Sequence, residues 1–319
     1  MILSPETLTV ALVALLVDAL IGWPDRLYRR ISHPVVWIGA LIAALDRRWN
    51  RGGNRDGARI LRGGLAVLVV LLAAVVPALA LTLWLAPLPY GPVLLGVLAW
   101  PLVATRSLHD HVRAVADPLA AGDIRAARQA VAMIVGRDLS DRPEPITRAA
   151  LESLAENASD GVVAPLFWAA VAGLPGIAAY KVINTLDSMI GHLSERHALF
   201  GRVAARLDDL VNLPASRLTA ALFLLSSAPA RGRALRVILR DARRHRSPNA
   251  GWPEAAMAGA LKVRLSGPRS YHGVETVEPW LNGEARDPGP RDLRQGLALY
   301  RRAMGLLGLL LAMALVGLS

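Results

Sequence analysis

Residues 63–105 carry no charged side chain. As helix the stretch would rise about 65 Å at 1.5 Å per residue, roughly twice the ~30 Å hydrocarbon core of a bilayer. Its middle, Ala86-Pro87-Leu88-Pro89-Tyr90-Gly91-Pro92, is a turn signal. The segment therefore predicts a transmembrane helical hairpin with spans near 63–85 and 91–105. Residues 2–22 are also apolar, have no basic leader and carry Glu6 and Asp18, which predicts a retained span rather than a cleaved signal. Residues 303–319 are uncharged and start just after Arg301 and Arg302; with those arginines snorkelling they make a last span.

The whole chain agrees with that reading. It has 319 residues, is 54% hydrophobic with 19% charged residues, and has a mean hydropathy of +0.38. This excludes a disordered chain and argues against an ordinary soluble enzyme. The net charge of +11 would suggest nucleic acid in a soluble protein, but the basic residues lack interleaved aromatics and sit in loops beside apolar spans, the positive-inside pattern. The partner implied is the lipid bilayer, with no nucleic acid. Cysteine is absent, which excludes disulfides, zinc–thiolate sites and a Cys nucleophile. Nine arginines lie between Trp23 and Gly63, and none in the 86–92 turn. Loops 24–62, 106–160 and 231–298 are thus expected to be cytoplasmic, as in a multi-pass membrane protein. Residues 161–183 and 213–230 are ambiguous. Parity requires both to cross or neither; Gly173-Leu174-Pro175-Gly176 splits the first into half-length helices, and a re-entrant hairpin with neither crossing is the reading adopted. The expected fold is an all-α, polytopic, single integral membrane domain over 1–319 with a cytoplasmic helical layer and that re-entrant hairpin.

Four polar clusters interrupt the apolar sequence. In the first, Glu152 and Glu156 share a helix face with Asp160 near the next turn, Asn157 lies between them, and Arg148 is placed to pair with Glu152. A solvated acidic face ending at a Gly161 cap is the ordinary reading; the immediate join to an apolar segment weakens it, because carboxylates at a membrane boundary are costly unless paired or ligating. In the second, Lys181, Asn184 and Ser188 form a polar stripe with Asp187 beside it. Lysine, amide, carboxylate and hydroxyl are the groups that hold phosphate and Mg²⁺, and a structural Lys181–Asp187 pair is the alternative. In the third, Asp208 and Asn212 share a face and Asp209 adjoins them, which suits a divalent cation as well as a capping role. The fourth runs Arg243-Arg244-His245-Arg246-Ser247-Pro248-Asn249-Ala250-Gly251-Trp252-Pro253-Glu254, a polar loop approaching a helix start and so a candidate anion site. Lys262 and Tyr271 follow it, and His33-Pro34 stands alone near the N-terminus. No P-loop or Rossmann glycine pattern is present in the sequence.

Taken together and in order, these strings resemble the cobalamin-biosynthesis membrane family CobD/CbiB, the adenosylcobinamide-phosphate synthases. The matching residues begin with Asp18, Gly22-Trp23-Pro24, His33-Pro34 and Ile38-Gly39, and include Gly136-Arg137-Asp138, Glu152-Ser153, Glu156-Asn157 and Asp160-Gly161. They continue through Tyr180-Lys181, Asn184-Thr185-Leu186-Asp187-Ser188-Met189, Asp208-Asp209, Asn212, Arg217 and Ser247-Pro248-Asn249 to Gly251-Trp252-Pro253-Glu254 and Tyr271. Lys262 stands where the family favours a small residue, often Gly, and Ser266-Gly267 where a Gly-Gly pair is more usual. The resemblance implies joining (R)-1-amino-2-propanol or its O-phosphate to the free propionate of adenosylcobyric acid, with ATP and Mg²⁺, and association with other enzymes of the pathway. It implies catalytic roles for Glu152, Glu156, Asn157, Asp160 and Asn184, with Glu156 or Asp160 the first choice of base. Metal binding falls to Asp187, Asp208 and Asp209. Substrate and phosphate binding falls to His33, Lys181, Ser188, Arg217, Asn249, Trp252, Glu254 and Tyr271. A transporter with Asp18, Lys181 and Asp187 in its path, or a non-catalytic corrinoid scaffold, are the competing readings; the polar residues lie mostly outside the apolar spans, which favours an enzyme.

Overall fold

The computed structural model describes the chain except residues 1–2, 25–28, 31, 52–55, 137–138, 193, 272–273 and 319, and the side chains of 270–271 and 274–275. The fold is all-α, with very little strand. In chain order the first helices are α1 (Pro5–Ile21), α2 (Pro34–Trp49), α3 (Asp56–Leu85), α4 (Gly91–Ala99), α5 (Thr105–Ala121), α6 (Ile124–Val131) and α7 (Pro143–Ala158). A π-helical turn (Ser159–Val163) leads into α8 (Ala164–Ile190), then α9 (Arg202–Val211), α10 (Leu213–Leu225), α11 (Arg231–Asp241) and α12 (Gly251–Leu261). The strands β1 (Leu265–Ser266), β2 (Arg269–Tyr271), β3 (Val274–Thr276) and β4 (Trp280–Leu281) precede α13 (Pro290–Leu318). These elements form two compact units.

The first unit holds residues 1–104, 164–212 and 310–319. Ser4 and Thr7 exchange hydrogen bonds as a capping box that starts α1, and the Thr7 hydroxyl also donates to the Ala170 carbonyl at 2.7 Å. The core joins Ile42 of α2, Val67 and Val70 of α3, and Val182, Leu186 and Ile190 of α8 with Phe200. Gly63 on α3 lies so close to the Phe200 carbonyl that a Cβ would collide with backbone. Helix α8 is interrupted at Ala172 and at Gly173, where φ is 63° and ψ −148°, a conformation glycine adopts readily and other residues do not. The break divides the apolar stretch into two helical halves, as Gly173-Leu174-Pro175-Gly176 predicts.

The second unit holds residues 105–163 and 213–309. Its core includes Val112, Ile146, Leu151, Leu154, Phe223, Met257 and Leu293, all buried. Two short antiparallel pairs, β1 with β4 and β2 with β3, form a lobe between α12 and α13, with Leu265 opposite Leu281 and Arg269 opposite Thr276.

Four helical runs are long and apolar enough to cross a membrane: Asp56–Leu85, Gly91–Ala121, Pro143–Ile190 and Pro290–Leu318. The apolar windows of the first and last are only 22% buried by protein, against 67% for Pro143–Ile190. Leu68, Leu72, Leu79 and Leu83 accordingly stand exposed along α3, and an uninterrupted exposed leucine face of that length suits lipid, not water. These are features of a membrane protein. Element limits differ from the charge-based reading in three places. Helix α3 starts at Asp56, seven residues before the uncharged run, because Arg59 and Arg62 tolerate helix as well as loop. Residues 34–49, assigned to a loop by their arginines, form α2, whose two closing arginines Arg47 and Arg48 complement the helix dipole. At 17 residues α1 is shorter than the four runs above.

Candidate functional site

In the first unit the sequence-predicted acids gather where the end of α8 meets α9. Asn212 donates to Asp208 Oδ2 at 2.9 Å and its own Oδ1 accepts from the Tyr180 hydroxyl at 2.9 Å; Asn184 also hydrogen-bonds Asp208. The other Asp208 oxygen, Oδ1, is buried without a hydrogen-bond partner among the described residues. Burial pushes the Asp208 carboxyl up to about 7, and the Asp187 charge pushes it the same way, outweighing the hydrogen bonds from Asn212 and Asn184. Burial also raises Asp209, with Arg206 opposing. Asp187 is half-buried and packs against Gly191, where any Cβ would strike its carboxylate; that glycine is what leaves room for the acid at a helix end. Ser188 is exposed and donates its proton to the Asn184 carbonyl at 2.8 Å. Lys181 is half-buried, and its charge, after burial, is the second cause that lowers the His33 pKa. His33 caps α2 by accepting from the Val35 amide at 3.2 Å and meets Trp23 edge-on at 4.9 Å, so its Nδ1 is committed to structure.

Among the described residues no group of three or more His, Cys, Asp or Glu is close enough to hold a metal by itself. The pairing of Asp208 with its neighbour Asp187 is therefore at most part of a coordination shell.

In the second unit two further sets form. One is a cage around Arg269, whose Nη2 lies 3.3 Å from Glu152 Oε2 and 3.9 Å from Glu254 Oε2. Glu152 also accepts from the Ser266 amide at 2.7 Å, and His245 Nε2 stands 3.8 Å from Glu254 Oε1. Burial, then the Arg269 charge, lowers the His245 pKa, so the imidazole is neutral there. Glu152 and Glu254 are 4% and 1% exposed; buried acids of this kind persist because they are paired. They tie α7 and α12 to the turn around Ser266 and Gly267. Arg148, the partner expected for Glu152 from helical spacing, reaches Asp287 at 3.5 Å and lies over Trp280 at 4.8 Å; the guanidinium 3.3 Å from Glu152 is that of Arg269.

The other set is built on Arg217. Its guanidinium lies 4.6 Å over the Trp252 ring and donates to Asn249 Oδ1 and Ser216 Oγ, both at 2.8 Å. Ser216 donates to Asn249 Oδ1 at 3.1 Å. Sandwiched and fixed in this way, the fork is pre-organised and half-exposed, a suitable receptor for a phosphate or carboxylate. Glu156 and Asn157 are exposed at the end of α7, with Asn157 donating to the Ser153 carbonyl at 2.9 Å. The helix does not end at Gly161; it passes through the π-helical turn, which carries Asp160. Such turns re-aim side chains and recur at functional sites. Tyr271 lies on β2, but its side chain is outside the described residues, as are Arg137 and Asp138 of the Gly136-Arg137-Asp138 motif.

Three contributors escaped the sequence reading. Arg269 and His245 were visible only as members of basic loops, and their role follows from which acids are buried. Tyr180 appears in the sequence only as part of the Tyr180-Lys181 match, with no role attached to it.

Comparison with known proteins now bears on these sites. A family model described as CobD/Cbib protein matches residues 11–300. The cobalamin biosynthesis protein CobD of Rhodobacter capsulatus is 63% identical over 305 residues, 95% of each chain. The chain belongs to the CobD/CbiB family. A CobD of a Sinorhizobium species is 48% identical over 98% of this chain and 100% of its own, and that of Brucella suis is 48% identical over 98% of both. No solved structure matches the chain. Membership of CobD/CbiB places the protein in cobalamin biosynthesis. Lys262 and Ser266 both have φ of 61°, the left-handed region that glycine enters at least cost.

Proposed function

We propose that the protein is the ATP-dependent ligase that joins (R)-1-amino-2-propanol or its O-phosphate to the free propionate of adenosylcobyric acid, giving adenosylcobinamide or its phosphate, at the cytoplasmic side of a bacterial inner membrane. The observation that carries the reading is Asp208, a half-buried carboxylate beside a second acid, with one buried oxygen that has no hydrogen-bond partner among the described residues and a pKa raised to about 7. That is an unfinished oxygen site for a hard cation. Mg²⁺ is usually held by one or two carboxylates and completed by water and substrate phosphates, so a pair of acids without a third fits Mg·ATP better than a resident metal. Bound there, Mg²⁺ would supply charge neutralisation on the phosphates.

The chain's own groups then divide the work. Asp187 and Asp208 hold the cation, with Asp209 adding charge and Asn184 and Asn212 fixing the Asp208 carboxylate. Lys181 supplies a compact positive charge for phosphate. Arg217, locked by Trp252 and Asn249, receives an anionic group of a substrate. An amide cannot form from a free carboxylate at neutral pH without activation, and an acyl phosphate made at the expense of ATP is the activation that these phosphate-binding groups suit. Glu156, exposed near the end of α7, or Asp160, half-buried in the π-helical turn, takes the proton from the attacking amine. Glu152 and Glu254, deeply buried, act by holding the cage in shape.

The test is reconstitution. Purified protein in detergent receives adenosylcobyric acid, Mg·ATP and either amine, with corrinoid products and ADP followed by mass spectrometry. Stoichiometric product and ADP are expected. Corrinoid binding without ATP consumption would replace the ligase with a scaffold.

A further inference from the structure

The second unit contains a cavity of about 620 Å³ that none of the proposed chemistry uses. Its wall is formed by the 227–236 segment, the end of α12 and the middle of α13. Four cations line it, Arg233, Arg236, Lys262 and Arg302, and no carboxylate does. None of the four makes an ion pair with an acid among the described residues. All four are exposed, so solvent screens their mutual repulsion, and together they present a cationic surface suited to an anion.

Three further observations locate the anion. Arg302 is the last charged residue before the apolar end of α13, so the cavity sits at the level where that helix leaves polar surroundings. Helix α11, which contributes Arg233 and Arg236, exposes Leu235 and Leu239 one turn apart, at 43% and 71%. Leucines beside arginines on an exposed helix are the pattern of a helix lying in a membrane interface. Lys262 caps α12 with φ of 61° and ψ of 38°, where glycine would be held at lower cost. Lys262 keeps a charge at the cavity wall where glycine would fit the backbone at lower cost.

We infer that this cavity binds the phosphate headgroup of an anionic phospholipid, with Leu235 and Leu239 resting on its acyl chains. The site shares no residue with the Arg217 and Asp208 sets and would anchor the second unit to the bilayer surface.

The experiment is native mass spectrometry of the full chain in neutral detergent, titrated with phosphatidylglycerol or phosphatidylcholine. Phosphatidylglycerol should be retained in preference, less so at higher salt. Lys262→Gly and Arg302→Gln should each lower its retention about five-fold, the contribution of one basic residue near an anionic surface. Lys262→Gly should do so without lowering the thermal midpoint, since it relieves the left-handed lysine, and ligase turnover in detergent should be unchanged in both. Equal retention of the two lipids, or retention of phosphatidylglycerol unaffected by either variant, overturns the proposal. So does binding of inorganic pyrophosphate that is lost in these variants while phosphatidylglycerol is ignored, which would make the cavity a site for a soluble phosphate. If Lys262→Gly does not fold, the Arg302→Gln result decides.

Discussion

Replacing Asp208 by Asn should stabilise the metal-free protein at alkaline pH while destroying its response to Mg²⁺. The Asp208 pKa of about 7 in the folded chain lies above its ordinary value of 3.8, so the folded state retains a proton that the unfolded chain releases. Stability from this group is complete below about pH 3.8 and is lost as pH rises to about 7. Roughly three pH units at about 1.4 kcal/mol each set an upper bound of about 4 kcal/mol on the loss. Asparagine carries no charge and escapes it. Its amide would face the position of the unpartnered Oδ1, at a cost of about 1–3 kcal/mol, which leaves a net gain of about 1–3 kcal/mol at pH 8. Mg²⁺ binding must displace the Asp208 proton, so apparent affinity should rise about ten-fold from pH 6 to pH 8 in the unaltered protein and stay flat in the variant. Thermal unfolding in detergent, at both pH values with chelator or with Mg²⁺, reads all of this. Wild-type protein whose chelated midpoint rises with pH, or an Asp208→Asn protein that Mg²⁺ still stabilises, refutes the assignment.

Other substitutions separate the remaining roles. Arg217→Lys keeps the charge but loses the Trp252 stacking and the paired hydrogen bonds; KM for an anionic substrate should rise about ten-fold with little change in the midpoint, by analogy with the 1–2 kcal/mol of a desolvated cation–π contact. Glu152→Gln removes the nearer of the two acids beside the Arg269 guanidinium, leaving Glu254 at 3.9 Å; breaking a buried pair costs up to about 3–5 kcal/mol, so a drop in midpoint should appear at neutral pH with every substrate. Gly173→Ala places a Cβ at φ of 63° and ψ of −148°, a region essentially restricted to glycine, and should lower the midpoint by the equivalent of about 1–3 kcal/mol, while circular dichroism keeps its helical signal.

The legible parts of this molecule are those set by local rules. The 63–105 hairpin follows from the cost of charge in hydrocarbon, and the break at Gly173 from glycine and proline chemistry, so both can be read from a few adjacent residues. Asp187 and Asp208 stand out in the sequence as hard oxygen ligands, one beside a polar stripe on an apolar helix and one next to a second aspartate. What could not be read was pairing across the fold. Helical spacing offers Arg148 to Glu152, yet Arg269, more than a hundred positions later, is the residue that meets it. Helix α2 was hidden because a count of arginines measures sidedness and not secondary structure. Ser188 looked like a ligand on spacing alone, but its hydroxyl bonds the Asn184 carbonyl one turn back, a local competitor that composition does not reveal.

Ligation in a reconstituted reaction tests the central claim most directly. Purified protein with adenosylcobyric acid and Mg·ATP is offered each amine in turn, and corrinoid mass and ADP are measured together. The account predicts one amide and one ADP per turnover with at least one amine, and no turnover for Asp208→Asn protein that remains folded. Folded wild-type protein that binds the corrinoid yet forms no amide with either amine would contradict it.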